Sequence, residues 1–295
     1  MALLQFEHSI PGNNMNPILK WPGGKRKLLP VLWELPCVQA WQKKPQRRYI
    51  EPFFGGGAVF FGLDTTGVAC DIAEANPFAR RFYATVQQQC EQLIACFQSW
   101  WGDRDCVSEA EFYQLRSWLN ETQHPALFYL LSQACFNGLI RINAAGAFNS
   151  SYGLKTDGQP NWIVIDYAGL REASRKLQGV GIHREAFRVL FMATELDLSN
   201  TLIYCDPPYL PRTPTASFSS YSIPWNEKRL QALVSLLWRC CSRGATVIVS
   251  ERDTPVTRTY LTNWKIQPVE LNHSIGCTAA SRVKEAELIA IHGPV

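Results

Sequence analysis

Short apolar runs alternate with longer helical patterns near both ends of the chain. The runs "YIEPF" (49–53), "GVACDI" (67–72), "TLIYCD" (201–206) and "ATVIVS" (245–250) have the length and side chains of buried strands. Between the last two, "NEKRLQALVSLLWRCCSRG" (226–244) repeats apolar residues every three to four positions and ends at a glycine, which predicts a helix. Strands that alternate with helices predict an α/β fold with a doubly wound, mostly parallel sheet.

The middle of the chain follows a different pattern. Residues 76–101 repeat apolar side chains at helical spacing, and Pro77 suits the first turn of a helix. The helical pattern continues to residue 180 and is interrupted by a Gly/Asn-rich stretch at 137–154. This part of the chain is therefore predicted to be a helical insertion.

The two ends of the chain form one discontinuous α/β domain in this prediction. Residues 1–85 and 181–295 make up that domain, and residues 86–180 make up the helical insertion. The segments "IQPVELNHSIG" (266–276) and "EAELIAIHG" (285–293) predict two closing strands.

Composition and charge indicate the size of the domains, the location of the protein and the charge of its partner. The chain has 295 residues, of which 46% are hydrophobic, enough for one large domain or two modest ones. It has neither a long uncharged apolar stretch nor a signal-peptide pattern, so we expect no membrane span and a cytoplasmic location. Residues 1–50 contain eight Lys and Arg but two Asp and Glu, which favours an anionic partner at that end. On charge alone, a solvated basic face explains this bias equally well.

Cysteine and histidine spacing gives no sign of a metal centre. The ten cysteines contain no C-x-x-C pair, and the five histidines are scattered. Such cysteines are more typical of small buried residues than of ligands, so no metal is predicted.

A glycine turn follows the first predicted strand. Gly55, Gly56 and Gly57 come directly after "EPFF", and glycine allows a ligand to lie against the backbone. Asp71 is predicted to end the next strand, where a carboxylate can accept both hydroxyls of a ribose. Phe60 stands where a dinucleotide fingerprint needs its last glycine. The pattern indicates an adenosine-type cofactor. The alternative is that the glycines simply form a tight turn that binds no ligand.

The apolar run at 201–205 stops on Asp206, Pro207, Pro208 and Tyr209. Proline lacks a backbone N–H and cannot continue a central strand, and each proline also restricts the residue before it to extended geometry. The four residues therefore form a stiff polar lip. In open α/β sheets, ligands bind at this carboxyl edge.

The lip suits methyl transfer to the exocyclic amine of a nucleobase. Such an amine is a poor nucleophile because its lone pair is delocalised into the ring. The Asp206 carboxylate and the Pro207 carbonyl can accept its two hydrogens and stabilise the positive charge that develops on nitrogen. Tyr209 can stack on the base and align it. A base in duplex DNA must flip out to reach such a site.

With these motifs in hand, the chain resembles the Dam family of DNA adenine-N6 methyltransferases. The resemblance covers most of the chain, in the family's order. Its motifs are "ILKWPGGK" (18–25), "YIEPFFGGGAVFF" (49–61), "FNGLIRINAAGAFNSSYG" (136–153), "IYCDPPYLPRTPTASFSSY" (203–221) and "VIVSERDT" (247–254). It implies a Rossmann-like methyltransferase fold in which the insertion is a target-recognition domain with a DNA-reading hairpin at 136–153.

The resemblance also implies roles for individual residues. The residues expected to bind S-adenosyl-L-methionine are Trp21, Lys25, Phe53, Gly55, Gly57, Asp71, Phe187 and Asp206. The residues expected to contact DNA are Lys20, Phe136, Asn137, Leu139, Arg141, Asn149 and Ser151. Within that set, Lys20 and Arg141 would read guanines, Leu139 would pack on a thymine methyl, and Phe136 would wedge into the base stack.

The implied function is methylation of adenine N6 in duplex DNA within GATC, by a monomer or a weak dimer on DNA in a bacterial or phage-infected cell. Ser151 stands where the family often has proline, which would relax reading of the third base. Two alternatives remain open from the residues. One is methylation of cytosine N4 or of RNA, and the other is a non-catalytic DNA-binding relative.

Overall fold

The computed structural model describes residues 15–155, 157–211, 225–271 and 285–294. Within them, one sheet contains β1 (Arg48–Glu51), β2 (Ala69–Ala73), β3 (Gly181–His183), β4 (Thr201–Cys205), β5 (Thr246–Arg252), β6 (Lys265–Leu271) and β7 (Glu285–His292). The strand order is β3-β2-β1-β4-β5-β7-β6. The first five strands are parallel, and β7 runs antiparallel between β5 and β6. The predicted α/β fold with a doubly wound, mostly parallel sheet is confirmed.

Helices cover both faces of the sheet. They are α1 (Leu29–Glu34), α2 (Pro36–Gln42), α3 (Ala58–Gly62), α4 (Pro77–Gln88), α5 (Cys90–Trp100), α6 (Glu109–Thr122), α7 (Pro125–Ala134), α8 (Tyr167–Leu177), α9 (Ala186–Ala193), α10 (Glu227–Ser242) and α11 (Pro255–Tyr260). Short 3₁₀ turns span Lys25–Leu28 and Phe136–Gly138. None of the helices among the described residues has the length and apolar character needed to cross a membrane.

Strand β4 shows why the central runs are continuously apolar. All five of its residues are buried. Leu202 and Tyr204 belong to the core on one face of the sheet, and Ile203 and Cys205 belong to the core on the other. A strand covered on both faces needs apolar side chains in every position.

The helical pattern predicted over 76–101 forms two helices, α4 and α5, which are separated at Gln89. Asn76 caps α4 by accepting from two backbone N–H groups, as the start of the pattern indicates, but the helix stops at Gln88. The side chain of Gln178 then donates to the carbonyl of Gln87 at 2.7 Å. Because a distant residue satisfies that carbonyl, the chain can bend at Gln89, which has a non-helical φ of −140°, before α5 begins.

The helical pattern of the middle segment is confirmed, since α5 to α8 lie between α4 and β3 along the chain. Their packing positions a hairpin on the surface. Backbone bridges join Ile142 to Phe148 and Cys135 to Tyr152. At its tip, the N–H of Asn143 donates to the carbonyl of Ala147 at 3.0 Å.

Candidate functional site

Asp206 directly follows β4, between the carboxyl ends of β1 and β5. Both of its carboxylate oxygens are held: Lys25 Nζ lies 3.1 Å from Oδ2, and the Ser250 hydroxyl donates to Oδ1 at 2.9 Å. Burial raises the pKa of Asp206 above its usual range, and the Lys25 ammonium opposes that shift. The carboxylate is therefore fixed in orientation at the edge of the sheet.

Lys25 joins the N-terminal motif to the polar lip at 206–209. Its side chain is almost fully buried, and its ammonium donates to the carbonyl of Gly23 at 3.0 Å. The same Nζ lies 5.0 Å from the centroid of the Tyr209 ring. Segments far apart in sequence thus meet at Asp206, and two residues that the resemblance implies at the cofactor, Lys25 and Asp206, form an ion pair.

The Tyr209 ring lies between charged neighbours. Besides Lys25, the Arg252 guanidinium carbon lies 5.5 Å from its centroid. Arg252 also donates to the carbonyl of Leu210 at 2.8 Å, which ties the lip to β5. The buried Tyr209 hydroxyl has no hydrogen-bond partner among the described residues. The Tyr209 ring therefore lies between two cations, the Lys25 ammonium and the Arg252 guanidinium.

The glycine turn lies beside the lip and is covered by Trp21. Gly55 has φ +51° and Gly57 has φ +69°, both in the left-handed region that favours glycine. A Cβ on Gly55 would lie 2.8 Å from Nε1 of Trp21. A side chain at Gly55 would therefore displace Trp21 as well as strain the backbone.

The expectation that Asp71 ends the second strand was wrong. Asp71 is the middle residue of β2, and its carboxylate is already held by Arg48 at 2.9 Å and by His183 at 2.9 Å. The acid that directly follows β2 is Glu74. Its two oxygens accept the N–H of Gly55 at 2.8 Å and the N–H of Asn76 at 2.7 Å.

Glu74 is completely enclosed, and burial raises its pKa to about 7. It therefore changes charge near neutral pH, directly behind the glycine turn. Sequence reasoning missed it because the end of β2 was placed at Asp71, two residues before the actual end at Ala73. The available signal was a second acid three positions after Asp71.

Phe53 and Phe187, which the resemblance implies at the cofactor, form an aromatic wall together with Trp225, a residue that the sequence did not indicate. Phe53 and Phe187 are each partly buried, and Trp225 lies between them, with ring centroids 5.6 Å and 6.4 Å away. Arg229 lies 5.4 Å from the Phe187 ring. Phe53 follows β1 closely and Phe187 lies in the first turn of α9, so the wall stands at the same carboxyl edge as Asp206.

The predicted DNA-contacting residues share one property, which is solvent exposure on and beside the hairpin. Lys20, Phe136, Asn137, Arg141, Asn149 and Ser151 are exposed, and Leu139 is partly exposed. The alternate positions Ile140, Ile142, Phe148 and Ser150 are buried, as expected for a hairpin with one face on the protein. Lys20 packs along Gly138, where a Cβ would lie 3.0 Å from its Cε.

The part of the chain that the structure describes contains no group of three His, Cys, Asp or Glu side chains arranged to hold a metal ion. Ser250 and Arg252 were missed in the sequence as partners of Asp206 and Tyr209. Both lie on β5, which neighbours β4 in the sheet although more than 40 residues of chain separate them. The loop of the catalytic motif at 212–221 lies outside the described residues.

A family model decides between the functions compatible with this geometry. The model for D12 class N6 adenine-specific DNA methyltransferases matches residues 21–275. The chain belongs to this family. It is an adenine-specific DNA methyltransferase, and its substrate is DNA.

Individual relatives agree with the family model. The chain is similar to the DNA adenine methylase of Escherichia coli (strain K12), with 29% identity over 94% of this chain and 95% of that protein. It is similar to the type II methyltransferase M.MjaIII of Methanocaldococcus jannaschii, with 30% identity over 80% of this chain and 84% of that protein. The DNA N-6-adenine-methyltransferase of Escherichia phage P1 is 30% identical over 97% of this chain, which spans 36% of that longer protein.

Proposed function

We propose that this enzyme transfers a methyl group from S-adenosyl-L-methionine to N6 of an adenine that is flipped out of a GATC site in duplex DNA. The observation that carries the proposal is the fixed Asp206 carboxylate, held by Lys25 and Ser250 beside the Tyr209 ring. Its place at the carboxyl end of β4 is where open α/β sheets bind their ligands.

Asp206 and the Pro207 carbonyl accept the two hydrogens of the target amine in this proposal. As the nitrogen attacks, it gains positive charge, and both acceptors stabilise that charge more in the transition state than in the ground state. The Tyr209 ring stacks on the adenine, with Pro208 setting its direction. The Lys25 ammonium lies 3.1 Å from Asp206, so it favours the ionised carboxylate and opposes the rise in pKa that burial causes.

We propose that the residues beside Asp206 bind the methyl donor. Gly55 and Gly57 adopt the left-handed φ that favours glycine, and Trp21, which covers Gly55, supplies apolar surface together with Phe53 and Phe187. When bound, S-adenosyl-L-methionine supplies an electrophilic sulfonium methyl. We propose Glu74, in place of Asp71, as the acceptor of the ribose hydroxyls, because it follows β2 at the sheet edge and already bonds the Gly55 N–H. Trp21 and Lys25 complete this binding site.

Glu74 gives cofactor binding a predicted pH dependence. Because its raised pKa is about 7, lowering the pH below that value protonates the carboxylate and removes an acceptor for the ribose. The dissociation constant for S-adenosyl-L-methionine should rise by up to about tenfold per pH unit below 7. Glu74→Gln should bind weakly and without this pH dependence, as measured by calorimetry between pH 5.5 and 8.5. Asp71→Asn is the matched control, and a loss of the pH dependence in that variant would instead support Asp71.

The hairpin supplies the sequence reading in this proposal. Arg141 and Lys20 bind guanines, and Leu139 packs on a thymine methyl. Phe136, which is 39% exposed, enters the base stack. There it compensates in part for the stacking that is lost when the adenine flips out. Asn137 assists at the flipped base, and Asn149 and Ser151 contact DNA from the hairpin.

We also propose the domain division 1–85 plus 181–295 for catalysis and 86–180 for target recognition. It is supported by the sheet, whose strands all lie outside 86–180, and by the hairpin, which lies inside it. We propose that the protein acts as a monomer or a weak dimer on DNA, in the cytoplasm of a bacterial or phage-infected cell, since that is where such DNA is found.

The experiment that tests GATC recognition is methyl transfer from labelled S-adenosyl-L-methionine to matched short duplexes. One contains GATC, and the others carry single changes such as GAAC. We expect kcat/KM on GATC to exceed that on each changed duplex by about tenfold or more, because a lost bidentate base contact costs about 1–3 kcal/mol. The smallest difference is expected at the third base, which we propose that Ser151 contacts. Equal transfer to all duplexes would contradict GATC recognition.

A further inference from the structure

Helix α6 holds the return strand of the hairpin through two side chains on one face. The Asn120 amide pairs with the backbone of Phe148: its Nδ2 donates to the carbonyl at 3.1 Å, and its Oδ1 accepts from the N–H at 2.7 Å. Four residues earlier, Arg116 donates to the carbonyl of Ser150 at 3.0 Å. Helix positions four apart are separated by about 6 Å, close to the roughly 6.6 Å between strand residues i and i+2. Side chains of α6 thus make hydrogen bonds to the hairpin backbone that a neighbouring strand would otherwise make.

Ser150 continues this connection into the other strand of the hairpin. Its side chain is fully buried, its hydroxyl donates to the carbonyl of Leu139 at 2.8 Å, and it accepts from the N–H of Arg141 at 2.9 Å. Asn149 donates its N–H to the Arg141 carbonyl at 2.8 Å, so the backbone of Arg141 is held on both sides. One hydroxyl therefore fixes the two residues, Leu139 and Arg141, whose side chains are proposed to read bases.

Arg116, on the helix, is also held by a neighbouring side chain. The Arg116 guanidinium lies 4.6 Å from the centroid of the Tyr113 ring, three residues earlier on the helix. Arg116 therefore has little freedom to swing away from the hairpin. Arg116, Asn120 and Ser150 together are called the hairpin clamp below.

We propose that the hairpin clamp determines sequence discrimination without contacting DNA. The proposal rests on the proposed function, in which Leu139 and Arg141 read bases. A bidentate contact of Arg141 with guanine tolerates little displacement, so the clamp sets how strongly the correct base is favoured. The three clamp residues are positioning residues: they act through Leu139 and Arg141, and their side chains point at the hairpin backbone.

The test measures discrimination in Ser150→Ala and Asn120→Ala. Ser150→Ala leaves the Arg141 N–H and the Leu139 carbonyl without their partner, so the strand that carries the reading residues loosens. We expect the ratio of kcat/KM on GATC to that on a duplex with one changed base pair to fall by about tenfold, through loss on GATC alone. Activity on the changed duplex and the affinity for S-adenosyl-L-methionine should stay at wild-type values. Ser150→Thr keeps the hydroxyl and should restore discrimination.

Ser117→Ala is the matched control, since Ser117 lies on the same helix, is exposed, and donates to Glu121 instead of the hairpin. Wild-type discrimination in Ser150→Ala and Asn120→Ala would overturn the proposal. An equal loss on both duplexes together with a lower Tm would also overturn it, because that result assigns the clamp a purely structural role. If the wild-type enzyme itself failed to discriminate, the proposed GATC recognition would fail first, which separates the two claims.

Discussion

Replacing Asp206 with alanine is expected to lower kcat by about a thousandfold, the size of effect seen when one preorganised group that stabilises transition-state charge is removed. Asp206 is fixed by Lys25 and Ser250 and is the proposed acceptor for one hydrogen of the target amine. Its loss removes stabilisation that exists only in the transition state, so kcat should fall far more than the affinity for DNA. Single-turnover transfer of a labelled methyl group measures this step directly.

Two further variants separate chemistry from folding. Asp206→Asn keeps the size and the Ser250 contact but loses the charge that pairs with Lys25, and we expect it to be almost as slow as Asp206→Ala. Asp197→Asn changes an exposed acid a few residues before β4 and should be as active as wild type. Near-wild-type turnover in Asp206→Ala, with the protein folded, would show that the proposed mechanism is wrong.

The second large effect is expected at Tyr209, and it depends on which part of the side chain is removed. Tyr209→Ala should lower kcat/KM by about a hundredfold, since stacking a base on an aromatic ring contributes about 1–3 kcal/mol. Tyr209→Phe should keep nearly all activity, because the buried hydroxyl has no hydrogen-bond partner among the described residues. The Phe variant should also unfold at a Tm equal to or above that of wild type, since it removes a buried polar group without a partner.

Steady-state kinetics on the GATC duplex and thermal unfolding of both variants allow the comparison. The matched aromatic control is Tyr113→Phe, because Tyr113 is an exposed tyrosine on α6 and its ring is kept in that variant. A large loss of activity in Tyr209→Phe would mean that the hydroxyl takes part in the reaction. That result would contradict the proposal that the ring alone serves the reaction.

The fold could be predicted because its signal is local and repeated. Each buried strand is a short apolar run, and β4 is apolar at every position since both faces are covered. The break between α4 and α5 could not be predicted, because the partner for a carbonyl in the last turn of α4 comes from Gln178, far along the chain. The first closing strand was predicted over 266–276; β6 ends at Leu271, and 272–276 lies outside the described residues.

The candidate site likewise contains residues that could be predicted from the sequence and residues that could not. Asp206 and Tyr209 could be found from the sequence because they lie in one short motif and follow a strand that ends abruptly. Ser250 and Arg252 could not, since their relation to the lip exists only through the pairing of β4 with β5. Glu74 was missed for a smaller reason, an error of two residues in the end of β2.

The hairpin illustrates what a sequence can and cannot specify about recognition. The exposed residues proposed to contact DNA alternate with buried ones, a pattern visible in the sequence. The clamp that holds them was not visible, because Asn120 lies on a helix 28 residues before its partner Phe148. We therefore expect recognition to depend on residues that face the protein as well as on those that face DNA.

The most direct test of the central claim is to identify the methylated nucleoside. Wild-type enzyme is incubated with labelled S-adenosyl-L-methionine and a GATC duplex, and the DNA is digested and analysed by mass spectrometry. We predict N6-methyladenine from the GATC site and about a thousandfold less of it with Asp206→Ala. Label recovered as N4-methylcytosine, or transfer to RNA in preference to the duplex, would contradict the proposed reaction.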